Sequence, residues 1–152
     1  MNERTLVLIK PDAVAKRLVG NIISDLSTLD LKMIGLKLVN VDKELAVKHY
    51  DGLLERKGEK IFMDSVKHIM GEIHGNEKVI AIVYKGDGVI EKVRKIVGET
   101  NPEKAHPTSI RGRYGRIIKD TDFFETVVHA SDSRKSAERE IKLWFGEKEL
   151  VG

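Results

Sequence analysis

The sequence predicts an α+β fold, a four-stranded antiparallel sheet covered by helices, on three observations. Apolar runs of strand character alternate with runs of helical period in the order strand, helix, strand, helix pair, strand, helix, strand, helix. The first strand, Leu6-Val7-Leu8-Ile9, is not followed by Gly-x-Gly-x-x-Gly, and Gly-x-x-x-x-Gly-Lys occurs nowhere. The parallel doubly wound alternative therefore lacks both of its phosphate-binding turns. Finally, 152 residues at 41% hydrophobic content suit a single domain, residues 1–152, around a buried core. The order of elements is that of the ferredoxin-like plan.

Taken along the chain, residues 6–9 form a continuous apolar run suited to a central strand. Pro11 ends it, because proline has no N–H to give to a ladder, and the Lys10 ammonium then projects from the sheet edge. Leu18, Ile22, Ile23, Leu26 and Leu29 recur at helical spacing. Met33, Ile34, Leu36, Leu38, Val39 and Val41 make a strand around Gly35. Leu45, Tyr50, Leu53 and Leu54 return to helical spacing, and residues 79–84 form a second central strand. The turn signal Lys85-Gly86-Asp87-Gly88 joins that strand to a helix carrying Val89, Val93, Ile96 and Val97, which Gly98 ends. Val127 and Val128 make a short fourth strand. Asp132 or Ser133 caps the last helix, whose stripe is Ala137, Ile141, Trp144 and Phe145.

Composition narrows the function. The chain has no cysteine, which excludes a disulfide framework and a thiolate metal site. The five histidines show neither His-x-x-x-His nor His-Glu-x-x-His spacing, so no protein-held metal is expected. A net charge of +3 with 34% charged residues describes a surface of mixed sign that slightly favours anionic substrates. Met1-Asn2-Glu3-Arg4 leads directly into the first strand, without a signal-peptide core or a membrane span, and the expected compartment is the cytoplasm. An RNA-binding sheet would display several aromatics, whereas the chain is 5% aromatic, so no dedicated nucleic-acid site is expected.

The stretch Thr126-Val127-Val128-His129-Ala130-Ser131-Asp132-Ser133 puts one histidine at a strand-to-helix turn. Unpaired amides at such a turn hold an anion, and a histidine beside it can serve as a nucleophile. Taken alone, His129 reads more readily as a surface histidine before an ordinary helix, and the residues around it change that reading. Glu140 lies at the edge of the last helix's apolar stripe, where it either turns back to hold the ring or sits in solvent paired with Lys135 or Arg139. Ser131 is a cap, or a hydroxyl donor to that carboxylate or to a leaving oxygen. Lys10, Arg94 and Arg111 each stand where an element ends or a loop starts. Together with Thr100 they supply the donors that a polyphosphate and its transition state require.

Lys10-Pro11-Asp12, Gly98-Glu99-Thr100-Asn101-Pro102, Ile110-Arg111-Gly112 and His129-Ala130-Ser131-Asp132-Ser133 occur in the order found in nucleoside diphosphate kinases, and the chain resembles that family along nearly its whole length. Leu18-Val19-Gly20, His49-Tyr50 and the stretch from Ser136 through Glu140 to Trp144-Phe145 extend the match. The resemblance implies transfer of a γ-phosphate from a nucleoside triphosphate to a nucleoside diphosphate, in ping-pong fashion, through phosphohistidine at His129. It implies that Lys10, Arg94, Thr100 and Arg111 bind the phosphates, that Tyr50 and Glu140 hold the histidine, and that Phe62 stacks on the base. Thr126 stands where the family usually has an asparagine near the sugar, and Arg113 where an aspartate commonly follows Arg-Gly. Stretches 53–61, 71–78 and 116–126 are longer than usual. Magnesium would enter with the nucleotide, touched through water by Asp12, Asp132 or Glu140. A homo-oligomer, tetramer or hexamer, is also implied, with residues 99–119 and 143–152 at its interfaces. A histidine-phosphorylating protein kinase or phosphotransfer domain, an inactive nucleotide-binding relative and an RNA-binding module are the alternatives.

Overall fold

The computed structural model describes residues 2–119 and 124–152. Four strands form the main sheet: β1 (Asn2–Ile9), β2 (Lys32–Val39), β3 (Val79–Asp87) and, after a small hairpin of β4 (Arg116–Ile117) and β5 (Phe124–Glu125), β6 (Val128–Ala130). Their order is β2-β3-β1-β6 and every neighbouring pair is antiparallel, which is the ferredoxin-like arrangement. Helices cover both faces. Hence residues 6–9 are wholly buried despite having no polar alternation.

Successive side chains of β1 go to opposite layers. Val7 and Ile9 pack with Ile22 and Leu26 of α2 (Val19–Leu26), Val93 and Val97 of α6 (Val89–Val97), and Ile110 of α7 (Ile110–Tyr114). Leu6 and Leu8 pack with Ala46 of α3 (Lys43–His49), Val66 and Ile69 of α5 (Glu59–Ile69), and Ile141 and Trp144 of α8 (Arg134–Trp144). Each layer buries a full set of apolar side chains, at about 25 cal/mol for each Å² removed from water.

Several local expectations change. Gly52, with φ 81°, ends the first part of the predicted helix pair, so that α4 (Leu53–Lys57) is separate from α3, and Gly58 at φ 88° starts α5. The strand at Gly35 carries a register shift between Met33 and Gly35. A Cβ on that glycine would lie 2.7 Å from Leu150, so only the absence of a side chain lets the C-terminal segment pass so close. Ser133, rather than Asp132, caps α8, its hydroxyl accepting from the Ser136 amide at 3.1 Å. The long stretch 116–126 folds, in its described part, as the β4–β5 hairpin; residues 120–123 lie outside the described residues. Helix α1 (Pro11–Ala15) uses its proline at the first position, where the missing N–H costs nothing.

Candidate active site

Sheet register creates the site. Leu8 faces His129 and Ile9 faces Val128, so the last residues of β1 and the first of β6 end side by side. The chain then holds Val127 at φ 57°, an uncommon conformation for a β-branched residue. Its tight turn is closed by the Val128 amide donating to the Thr126 carbonyl at 2.6 Å. The Val127 amide donates to the wholly buried Asp12 carboxylate at 3.0 Å, and its carbonyl accepts from the Lys10 amide at 2.9 Å. In a regular strand Thr126 and His129, three residues apart, would face opposite sides. The turn breaks that alternation, and both line one cavity of about 690 Å³.

His129 stands on the cavity wall with its Nε2 2.6 Å from Glu140 Oε1. Glu140 is 3% exposed, so its charge is screened little by water. The same oxygen accepts from the Ser131 hydroxyl at 2.9 Å, while the Ser131 Oγ accepts from the Leu6 amide at 3.2 Å. Ser131 thereby ties the carboxylate to the central strand. The imidazole is braced edge-on by His49, ring centre to ring centre 4.6 Å. His49 accepts from the Trp144 indole at Nδ1, 3.1 Å away. Burial, then the charges of His129, Arg139 and Lys10, push its pKa well below that of an ordinary histidine. It is a neutral wall at neutral pH.

Cationic groups occupy the adjoining side. The Lys10 ammonium is buried and donates to the Thr126 hydroxyl at 2.8 Å. Burial lowers its pKa, the Asp12 carboxylate opposes this, and Arg111 adds to the lowering. Asp12 would itself be raised by burial, but the hydrogen bond to His68 and the Lys10 charge hold it well below the usual carboxylate range. The Arg111 guanidinium donates to the carbonyls of Gly98 at 3.0 Å, Val128 at 2.7 Å and Thr126 at 3.4 Å. Its pKa falls to about 10 through burial and the nearby Arg94 charge, which leaves it charged at neutral pH. Arg94 and Thr100 line the same cavity from exposed positions on α6 and the loop after it.

Lys10, Arg94, Thr100, Arg111, Thr126, His129 and Glu140 thus meet at one cavity, and Ser131 supports it from behind. Two expected roles do not match the geometry. Tyr50 lines the cavity but its ring touches His49, at 4.9 Å, and the histidine is held by His49 and Glu140 instead. Phe62 packs against the sheet core with Val66 and Ile69, at helical spacing, while Ile61 and Ser65, one turn apart, take the cavity side of α5. Of the carboxylates expected near magnesium, Asp12 is committed to Val127 and His68, and Glu140 to His129 and Ser131; Asp132 lines the cavity and is exposed. Sequence reasoning missed the buried positioning role of Asp12, whose partners Val127 and His68 lie far along the chain, and missed Glu125, a 1% exposed carboxylate bound by Lys16, Arg116 and His74. Among the described residues no three His, Cys, Asp or Glu side chains gather as a metal site.

A strand-end histidine gripped by a buried carboxylate beside three basic side chains is an arrangement for handling phosphate. Comparison with known proteins agrees. The family model described as nucleoside diphosphate kinase matches residues 3–150. The nucleoside diphosphate kinase of Pyrococcus furiosus is 45% identical over 148 residues, which cover 97% of this chain and 86% of that protein. Among solved structures, the transition state mimic of the Borrelia burgdorferi nucleoside-diphosphate kinase with bound vanadate and ADP superposes with a TM-score of 0.89 at 33% identity, covering 99% of this chain and 91% of that one. The halophilic nucleoside diphosphate kinase of Halobacterium salinarum in complex with CDP gives 0.86 at 36% identity, covering 100% and 93%. With the match running from β1 to the segment beyond α8, and with relatives that are phosphate-transferring enzymes, the chain belongs to the nucleoside diphosphate kinase family.

Proposed function

We propose that this chain, as one catalytic domain, moves the γ-phosphoryl group of a nucleoside triphosphate to a nucleoside diphosphate in two half-reactions through phosphohistidine at Nδ1 of His129. The contact between His129 Nε2 and Glu140 Oε1 carries the reading, because it leaves Nδ1 as the nitrogen with a lone pair to use. In the first half-reaction that lone pair attacks the γ-phosphorus, the bond to the β-phosphate oxygen breaks, and the nucleoside diphosphate leaves. In the second, a terminal oxygen of another diphosphate attacks the phosphorus and the N–P bond breaks. Glu140 offsets the charge the ring gains, and His49 keeps the ring's angle.

A neutral nucleophile meets an anionic substrate without repulsion, while Lys10, Arg94 and Arg111 stabilise charge on the transferring group, an effect worth about 3 kcal/mol for one well-placed donor. Thr100 and Thr126 supply neutral donors to the nucleotide. Of the three carboxylates expected near magnesium, Asp132 fits an ion brought in by the nucleotide, being placed to meet its water shell; when bound, the ion would neutralise phosphate charge. The Borrelia structure, a transition state mimic with bound vanadate and ADP, supports this reading. A homo-oligomer of four or six chains suits the edge strand β2, where Met33, Leu36 and Leu38 are 36%, 54% and 67% exposed. Among the described residues no helix is long and apolar enough to cross a membrane, and we assign the enzyme to the cytoplasm.

Intact-protein mass measurement tests the proposal. Incubation with a nucleoside triphosphate should add one phosphoryl group, adding a diphosphate should remove it, and His129→Ala should never gain it. A phosphoryl group that stays until a protein acceptor is supplied would point to a protein kinase instead.

A further inference from the structure

Outside the cavity wall, two histidines meet two buried carboxylates. His68, near the end of α5, sets its Nε2 3.2 Å from Asp12 Oδ1, and His74, in the turn that follows, sets its own 2.7 Å from Glu125 Oε1. We infer that His68 is a positioning residue for the phosphoryl transfer: by donating to Asp12 it fixes the carboxylate that holds the Val127 amide, and through that turn it sets where Thr126 and His129 stand in the cavity. This rests on the function proposed above and adds to it a residue that has no place on the cavity wall.

Asp12 divides its two oxygens: Oδ1 faces His68, and Oδ2 accepts from the Val127 amide at 3.0 Å. Held by that amide alone, the carboxylate could rotate and let the turn shift; the second contact removes the freedom. Burial would raise the Asp12 pKa, yet the His68 bond and the Lys10 charge keep it ionised, and an ionised carboxylate only accepts. The hydrogen therefore sits on His68 Nε2. Burial lowers the His68 pKa against the pull of Asp12, so the ring is neutral at neutral pH. Both side chains are wholly buried, where water cannot replace the bond. Val66 and Ile69 already close the core beside it, so an imidazole at position 68 costs burial that an apolar residue would not. The ring is itself braced. After α5 the chain folds back, the His74 and Asn76 amides both donating to the Gly71 carbonyl at 3.1 and 2.8 Å, and the His74 ring lies edge-on to His68 with centres 4.8 Å apart. Glu125, bound also by Arg116 and Lys16, anchors His74 and immediately precedes Thr126. The end of α5 thus grips the turn on both sides, at Glu125 through His74 and at Val127 through His68 and Asp12.

The test separates donation from ring volume. His68→Phe keeps an aromatic ring without the donor, and His68→Gln keeps a nitrogen donor at about the reach of Nε2. With saturating ATP in single turnovers, His68→Phe should phosphorylate His129 about ten- to a hundredfold more slowly, the scale of a small misplacement of a reacting group, and His68→Gln should stay within about threefold of wild type. ADP affinity should change less than about threefold in both, because Arg94, Thr100 and Arg111 do not depend on the Val127 turn. Amide hydrogen exchange should quicken about tenfold at Val127 in His68→Phe and stay as in wild type at Val83 in the central sheet. An unchanged rate in His68→Phe, an equal loss in the glutamine variant, a matching loss of ADP affinity, or equal acceleration at Val83 would each overturn the inference. The wild type supplies a measurement that no folding failure can spoil: ring nitrogen–proton NMR correlations should place the His68 hydrogen on Nε2 at neutral pH, and a hydrogen on Nδ1 alone would overturn it. Should the wild type take no phosphoryl group from ATP, the proposed function fails, and the ring tautomer with the Val127 exchange decides by itself whether His68 holds the turn.

Discussion

Exchanging Glu140 for glutamine removes one negative charge and almost no volume. Its Oε1 meets His129 Nε2 at 2.6 Å and the Ser131 hydroxyl at 2.9 Å, and an amide oxygen can accept from both. What disappears is the charge that faces the imidazolium formed as Nδ1 bonds to phosphorus. Hydrogen bonds to charged groups contribute about 1.5–3 kcal/mol and neutral ones about 0.5–1.5, so the barrier should rise by roughly 1–1.5 kcal/mol. At 1.36 kcal/mol per decade that is about a 5- to 15-fold slower phosphorylation. Glu140→Ala also leaves Nε2 and Ser131 without their acceptor, and the loss should reach about 30- to 150-fold. Rapid-quench single turnovers with labelled triphosphate measure both, and Ser131→Ala in each background shows whether the hydroxyl acts through Glu140. Equal rates for the glutamine and alanine variants, or a glutamine variant within twofold of wild type, would refute the assignment of charge stabilisation to this carboxylate.

Three further outcomes follow from neighbouring contacts. Arg111→Lys should lower the melting temperature and cut kcat/KM by about a hundredfold, because a compact ammonium cannot span the three carbonyls that the planar guanidinium fork holds; an unchanged melting temperature with kcat/KM within threefold of wild type would show that the fork is unnecessary. Asp12→Asn takes away the charge that opposes the burial of Lys10, whose other charged neighbours are Arg111 and Glu125; the Lys10 pKa drops further, and the alkaline limb of the phosphorylation rate should move to lower pH. A limb that stays in place would mean that another group titrates there. Glu125 is held at about 2, with burial opposing and Arg116, Lys16 and His74 prevailing, so its stabilisation is present above its ordinary 4.5 and lost as pH falls through about 2. Glu125→Gln should cost at most about 3 kcal/mol near neutrality and flatten stability across that window, as melting curves against pH would show.

What the sequence makes legible depends on how local the cause is. Strands β1 and β3 read as continuous apolar runs because both of their faces are covered, and α8 reads from its stripe, which also put Glu140 at the edge nearest His129. Phe62 misleads because one helical position turns a side chain by about 100°, and the start of α5 is set by a positive-φ glycine at 58 with no periodicity to announce it. Tyr50 misleads for a similar reason: it sits just past the end of α3, where the neighbouring His49 takes the contact with the catalytic ring. Val127 has strand propensity and does not lie in a strand, because Asp12, from the other end of the chain, supplies the acceptor that the turn needs. Non-local partners of that kind leave no trace in spacing.

The turn at Val127 also bears on how this part of the chain can vary through evolution. Since it reverses which face the next residues occupy, deleting or adding one residue between Thr126 and His129 would swing the imidazole into the layer beneath α2 and α6, whatever the new residue is. Upstream, β4 and β5 form a hairpin outside the main sheet, where extra length can accumulate without shifting register. Insertions and deletions among relatives should therefore pile up before Phe124 and stop there, leaving the count of residues from Thr126 to Glu140 fixed even where their identities drift.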